Sequence, residues 1–340
     1  MIKTQLKKAM DGKTFSENEA KSIMDQIMTG HVTSSQIASL LTILKMRGET
    51  VDELTGFAKS MREHAITFPV DMNDTVDTCG TGGDGSGTFN ISTASAIVMA
   101  SLGVKVAKHG NRSFSSKSGS ADVLECLNVP TQSGVEEAIK ALEEYSMSFL
   151  FAPLYHPAMK HAIAPRKEIG FRTVFNILGP LCNPAGCQRQ LIGVYDAQLA
   201  RKMAEVVQRL GIKKAMIVSG DDGLDECSVM SSTTVLEVTP DEIKTYKINP
   251  EDLGLQTGKL KDIQVDSPEM SADLIRKVFN NSSNPAAKNI VILNAAAGLV
   301  AADRASDFLT AVPLVKEAIE SGQVEGHYLN MTHVQVRSYA

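Results

Sequence analysis

The chain has 340 residues, 43% hydrophobic and 21% charged, which suits a self-burying protein and exceeds what one compact core holds. At roughly 150 residues per domain, two domains are expected. Its 34 Lys and Arg against 39 Asp and Glu give a net charge of -5, which argues against a general nucleic-acid or anionic-membrane binder but allows a local basic pocket for a small anion. No segment approaches the ~18 apolar residues of a membrane span. The opening MIKTQLKKAMDGK has neither the apolar run nor the cleavage pattern of a secretory signal. The five cysteines, at 79, 126, 182, 187 and 227, form no CxxC, so neither a disulfide framework nor a zinc site is expected and a cytoplasmic location is.

The first 65 residues carry helical signals only. Ser16-Glu17-Asn18-Glu19 and Thr50-Val51-Asp52-Glu53 read as capping boxes. Between them a helix from Thr33 or Ser34 carries Ile37, Leu40, Leu41 and Leu44 and stops at Gly48. With the N-terminal stretch this predicts about four short helices, too few to bury a core of their own. Phe68-Pro69-Val70-Asp71 breaks the pattern and reads as a hinge. Beyond it, candidate strands at 75–78, 104–107, 147–151, 191–195 and 215–219 alternate with candidate helices at 92–102, 121–127, 135–145 and 197–210. Helical runs near 268–281 and 306–321 are expected to close the chain. The predicted class is therefore α/β, a small all-helical domain followed by a large domain with a mostly parallel central sheet.

The segment from Asp77 to Thr93 carries the strongest chemical signal. Five glycines fall between residues 80 and 87, after a predicted strand and before a predicted helix. Glycines let a backbone turn its amides inward and let a ligand approach, and the helix start adds free N–H groups. The expectation is a phosphate or pyrophosphate site. Gly80-Thr81-Gly82-Gly83-Asp84-Gly85 also fits G-x-G-x-x-G, but a dinucleotide site wants an acid near the end of the next strand. Here that strand ends in Lys108-His109-Gly110-Asn111-Arg112, so NAD is disfavoured. No Gly-Lys-Ser/Thr ends the loop, which excludes a P-loop.

The stretch 108–120 holds three cations, five serines and no acid, a composition suited to phosphate oxygens at the carboxyl end of a strand. Asp225-Glu226 has two readings: an ordinary acidic turn after a strand, or a carboxylate pair for Mg²⁺, which takes one or two carboxylates beside substrate phosphates.

GTGGDGSGTFNIST at 80–93 followed by KHGNRSFSSKSGSADVLE at 108–125 resembles the anthranilate phosphoribosyltransferases. The likeness continues in HPAMKH at 156–161, Pro165-Arg166, RTVFNILGPL at 172–181, Asn183-Pro184 and GDDGLDE at 220–226, and so spans nearly the whole chain. It implies transfer of a 5-phosphoribosyl group from phosphoribosyl pyrophosphate (PRPP) to the amine of anthranilate, with Mg²⁺ at two ions per subunit and a homodimer. It implies a helical domain at 1–67 with an insertion about 172–185, and a catalytic α/β domain at 70–340 of the nucleoside phosphorylase/phosphoribosyltransferase type. By the resemblance, PRPP is held by Gly80, Gly83, Asp84, Thr88, Asn90, Ile91, Ser92 and Thr93, and by Lys108, His109, Gly110, Asn111, Arg112, Ser113, Phe114, Ser115, Ser116 and Ser120. Anthranilate meets Gly80, His109, Asn111, Ala152, Pro153, Arg166 and Gly179, with Arg166 on its carboxylate. Ser92, Asp225 and Glu226 take the metal. An aniline nitrogen is unprotonated at neutral pH, so His109 is read as a positioner and not as a base. Met159 stands where some relatives carry a tyrosine, and Cys182 and Cys187 read as packing residues. The rival readings are a pyrimidine nucleoside phosphorylase and a catalytically silent, nucleic-acid-binding relative of the same fold.

Overall fold

The computed structural model describes residues 2–113 and 118–337. Four helices open the chain: α1 (Ile2–Met10), α2 (Glu17–Met28), α3 (Ser34–Arg47) and α4 (Val51–Glu63). Side-chain caps set three of their starts: Ser16 with Glu19, Thr33 with Gln36, and Thr50 with Glu53. Glu53 does more than cap. Its fully buried carboxylate also accepts the Phe15 N–H at 2.9 Å and Arg47 at 2.5 Å, which ties the α1–α2 connection to α3 and α4. α2 and α4 cross so closely that a Cβ on Gly56 would lie 2.2 Å from the Glu17 carbonyl. Their apolar faces close over a core shared with Val174, Phe175, Leu178 and Leu181 and with sheet residues Ile192 and Ile217.

Among the described residues seven strands form one sheet: β1 (Val76–Gly80), β2 (Val106–Gly110), β3 (Met147–Phe151), β4 (Arg189–Gly193), β5 (Lys214–Gly220), β6 (Thr233–Val238) and β7 (Ile243–Ile248). Their order is β3-β2-β1-β4-β5-β6-β7. β1 to β5 run parallel, and β6 and β7 continue antiparallel. Between the strands lie α5 (Ile91–Ser101), α6 (Ser120–Cys126), α7 (Val135–Tyr145), the single turn α8 (Ala152–Tyr155), α9 (Lys160–Ile169), α10 (Val174–Leu178) and α11 (Ala197–Arg209). After the sheet come α12 (Pro268–Phe279), α13 (Pro285–Ala301), α14 (Phe308–Glu320) and α15 (Gln323–Arg337). The protein is thus a small helical bundle beside a large α/β unit, as the alternation of periods predicts.

The structure adds elements to the sequence expectation. The sheet continues past β5 into the hairpin β6–β7, α9 and α10 form between β3 and β4, α13 lies between the two helical runs that were to close the chain, and α15 follows them. α13 is buried on all sides from Ala286 almost throughout to Ala301, so it has no polar face and no amphipathic period. It packs on α5, where a Cβ on Gly298 would come 2.3 Å from the Met99 sulfur. Cys182 and Cys187 are buried in the core, as expected of packing residues.

The chain builds outward from β1 through β2 to β3, then returns to lay β4 on the other side of β1. Open α/β sheets leave a crevice at the carboxyl ends of strands where the order reverses this way. The glycine loop leaves β1 at that point.

Candidate functional site

The glycine loop is clamped and not a free linker. Its first amide, Thr81 N–H, donates to the Gly193 carbonyl of β4 at 2.9 Å. Its far end pairs with 263–265: Phe89 N–H donates to Ile263 and Val265 N–H to Gly87, each at 2.9 Å. Gln264 Nε2 donates to the Ser86 carbonyl at 2.8 Å. Asp84 folds the loop on itself by accepting from the Ser86 N–H at 3.1 Å and hydroxyl at 2.7 Å.

This loop, α5 and residues 108–111 and 118–120 enclose a cavity of about 280 Å³. Of the residues expected to hold PRPP, Gly80, Gly83, Asp84, Thr88, Asn90, Ile91, Ser92, Lys108, His109, Gly110, Asn111 and Ser120 line it. Asn90 braces its two walls: its Oδ1 accepts from Ser118 Oγ at 2.8 Å and from Ser271 Oγ at 2.9 Å. Lys108 lies in the floor, 2% exposed, with Nζ bound to the Thr78 carbonyl and 3.1 Å from Ser92 Oγ. Burial lowers its pKa and the Asp77 charge opposes that. The buried Asp77 carboxylate also receives the His109 N–H at 3.0 Å, which fixes the end of β2.

Asp225 and Glu226 form one wall of the same cavity. Asp225 accepts the Gly82 N–H and lies beside Asp84, while Glu226 accepts the Ser92 N–H. Burial, then the Asp84 charge, pushes Asp225 up to about 7. Burial, then the Asp225 charge, raises Glu226 well above the usual carboxylate range. The close fit extends to the sheet: a Cβ on Gly193 would come 1.7 Å from the Asp225 carbonyl. Ser92, Asp84, Asp225 and Glu226 all line this cavity and offer hard oxygens of the kind Mg²⁺ takes, but among the described residues no three acidic, His or Cys side chains stand close enough together to form a ready-made metal cluster.

A second cavity of about 420 Å³ adjoins the first and shares Gly80, Gly82, Gly83, His109, Gly110 and Asn111 with it. Of the expected anthranilate contacts, Ala152, Pro153, Arg166 and Gly179 line it with the shared Gly80, His109 and Asn111, and Met159 stands in the same wall. α9 presents Ile163 and Arg166 on one face, and the Arg166 guanidinium lies 4.9 Å from the Phe175 ring centroid of α10. His109 and His156 meet at 5.1 Å. Each faces a backbone carbonyl, of Gly179 and Cys182 respectively, and each leaves a buried Nε2 unpartnered. Burial, then His156, lowers His109 to about 3, and burial lowers His156 to about 4.

Some expected contacts sit elsewhere. Thr93 turns its side chain into the core at 0% exposure, and its N–H donates to the Asn90 carbonyl, so it does not reach the first cavity. Arg112 and Ser113 line the second cavity and not the first. Arg112 is paired with Asp122 at 2.9 Å and Glu125 at 2.5 Å on α6. Phe114, Ser115 and Ser116 lie outside the described residues. Sequence reasoning missed His156 and Arg172, both inside quoted motifs but with partners that only the fold brings near.

A crevice lined by loop glycines, hydroxyls, Lys108 and carboxylates at the switch point thus adjoins a larger pocket that Arg166 lines. Residues 72–325 match the glycosyl transferase family, a/b domain, and residues 3–65 the glycosyl transferase family, helical bundle domain. The chain is 56% identical over 331 residues to an anthranilate phosphoribosyltransferase of Halalkalibacterium halodurans, covering 97% of each. Its fold is similar to that of the Thermus thermophilus anthranilate phosphoribosyltransferase, with TM-score 0.90 and 38% identity over 96% of this chain and 98% of that one. It is also similar to the Saccharomyces cerevisiae enzyme in complex with PRPP and Mg, with TM-score 0.87 and 25% identity over 98% of both chains. The chain belongs to the anthranilate phosphoribosyltransferase family.

Proposed function

We propose that this protein transfers the 5-phosphoribosyl group of PRPP to the amino nitrogen of anthranilate and releases pyrophosphate, a step of tryptophan biosynthesis. The observation that carries this reading is the pair of cavities with a common wall at Gly80, Gly83, His109 and Asn111. One cavity offers amides, hydroxyls, Lys108 and carboxylates, as a metal-bound polyphosphate needs. The other is larger and ends in Arg166, as a flat carboxylate-bearing ring needs. The Saccharomyces cerevisiae relative is in complex with PRPP and Mg, which supports the use of both here.

In this reading the amides of the glycine loop and the start of α5 bind the pyrophosphate. Ser92, Asp225 and Glu226 would hold Mg²⁺, with Asp84 beside them. Bound there, the metal supplies positive charge against the oxygens of the departing pyrophosphate. Arg166 takes the anthranilate carboxylate and turns the amine toward the shared wall. The neutral His109 ring and the Asn111 amide position the amine. The C1′–oxygen bond to pyrophosphate breaks, positive charge builds on the ribose carbon, the neutral amine closes the N–C1′ bond, and the proton it then sheds passes to the released pyrophosphate or to solvent. No base is required before attack, and a histidine lowered to about 3 is neutral at working pH.

We divide the chain into a helical body at 1–67 with the insertion 172–185 and a catalytic body at 70–340. The burial of Val174, Phe175, Leu178 and Leu181 with the N-terminal helices supports that assignment. Two Mg²⁺ per subunit, a homodimer and a cytoplasmic location complete the proposal. Among the described residues no helix is long and apolar enough to cross a membrane.

Mixing the protein with Mg²⁺, PRPP and anthranilate should change the anthranilate fluorescence only when all three are present. Thymidine and uridine with inorganic phosphate should yield no free base. Phosphorolysis without anthranilate turnover would overturn the proposal in favour of the nucleoside phosphorylase reading.

A further inference from the structure

Arg172 stands in the connection between α9 and α10, outside the set of residues assigned to either substrate. Its guanidinium Nη2 donates to two successive carbonyls of the glycine loop, Thr81 at 2.7 Å and Gly82 at 2.6 Å. The guanidinium also lies 6.0 Å from the Tyr195 ring centroid. It rests so closely on the loop that a Cβ on Gly83 would come 2.0 Å from its Cζ. The next residue is the N-cap of α10, where Thr173 N–H donates to Asn176 Oδ1 at 3.0 Å. Val174, Phe175 and Leu178 then bury in the core under the N-terminal helices.

A trans peptide points its N–H opposite to its C=O. Two carbonyls held outward by Arg172 therefore turn the next two amides, of Gly82 and Gly83, the other way. The Gly82 N–H goes to Asp225, and Gly83 lines the first cavity. Without a cation behind them, these carbonyls are free to rotate inward, where their partial negative charge would meet an anion. The same side chain connects this loop to the segment that walls the second cavity through Phe175, Asn176 and Gly179.

We propose that Arg172 is a positioning residue that sets the polarity of the glycine loop from behind, keeping the Gly82 amide on Asp225 and turning the Gly83 amide toward the pyrophosphate of PRPP. This rests on the proposed function, and the test separates the two. Calorimetric titration with PRPP and Mg²⁺ is run on the parent, Arg172→Ala, Arg172→Met and Arg172→Lys. Met keeps the apolar stem without a donor and guards against a folding failure in Ala, with thermal unfolding as the check. Charge-assisted bonds of this kind set an expected loss of PRPP affinity of roughly 10- to 100-fold in Ala and Met. Lys restores a charged donor and should recover part of that loss. The KM for anthranilate at saturating PRPP should move little. A folded Met variant with parental PRPP affinity overturns the inference, as does a defect confined to anthranilate KM. A parent that binds no PRPP overturns the proposed function itself.

Discussion

Asp225→Asn should make the metal-free protein more stable at pH 8. The Asp225 carboxyl is raised from 3.8 to about 7 in the fold, first by burial and then by the Asp84 charge. Between those two values the native state binds a proton that the unfolded chain does not, so stability falls as pH rises from about 4 to about 7 and then levels off. At ~1.4 kcal/mol per pH unit the full cost is on the order of 4 kcal/mol, more than half of it developing above pH 5. Asn keeps the shape and can still accept the Gly82 N–H, but it carries no charge to desolvate. In calorimetric unfolding with a chelator present, the variant should gain several °C over the parent at pH 8 and much less at pH 5. Taking the difference between the two proteins cancels the histidines, whose depressed values push the parent's stability the opposite way. Adding Mg²⁺ with PRPP should then raise the parent's midpoint more than the variant's, because binding to the native state alone stabilises it. The variant should also need more Mg²⁺ for half-maximal rate. A parent–variant difference that is the same at pH 5 and pH 8, or a variant less stable than the parent at pH 8, would refute the view that Asp225 holds a costly buried charge awaiting a cation.

Arg166→Ala should raise KM for anthranilate by at least ~30-fold, from the ~2–5 kcal/mol of a truncated charged pair, while PRPP affinity stays near parental. Equal losses for both substrates in steady-state kinetics would make Arg166 a structural partner of Phe175 instead. His109 and His156, at about 3 and about 4, should stay neutral from pH 5 to 8, so their Cε1 proton resonances should not titrate there. The stability these neutral rings contribute is fully present above the unfolded value of 6.5 and is lost as pH falls toward those lower values. A titration midpoint near 6.5 for either ring would contradict the burial that keeps both rings neutral.

Local signals were readable wherever the physics is local. Ser16 and Thr50 announce helix starts because the cap and its partner lie three residues apart, and both boxes form. The candidate helix at 135–145 coincides with α7, which has a clear helical period, and the candidate strand at 147–151 coincides with β3, a short run buried almost throughout. α13 escaped because a helix buried on every side has no period to detect. β6 and β7 escaped because the expected alternation of strand and helix stops at β5, where the sheet turns antiparallel. In the site, residue types that carry charge or hydroxyls in the loops were identified, but their directions were not. Thr93 and Ser92 are neighbours at the head of α5, yet one faces the core and the other the cavity. Arg112 reads as a phosphate ligand until Asp122 and Glu125 on α6 are seen to claim it. Arg172 gave no signal, because its partners are backbone carbonyls some 90 residues earlier in the chain.

The glycines of the loop show how one sequence feature can serve two surfaces. Their density reads as room for a ligand, and that account covers only the inner side. At position 83 the φ of 95° already disfavours a side chain, and the atom that would collide with one is Arg172 Cζ at 2.0 Å. At position 80 the nearest atom to an added Cβ is Asp225 Oδ2 at 2.9 Å. On β4, Gly193 lies in register with Gly80, and there the obstacle is the Asp225 backbone. So the acidic pair and the rear arginine both need glycine in order to approach the sheet and the loop. The loop is pressed between a cation behind it and carboxylates beside it, and its amides are directed by both. A substitution at Gly83 therefore acts on the site through displacement of Arg172 before any substrate arrives, and steric exclusion of PRPP is not needed to explain a loss of binding there.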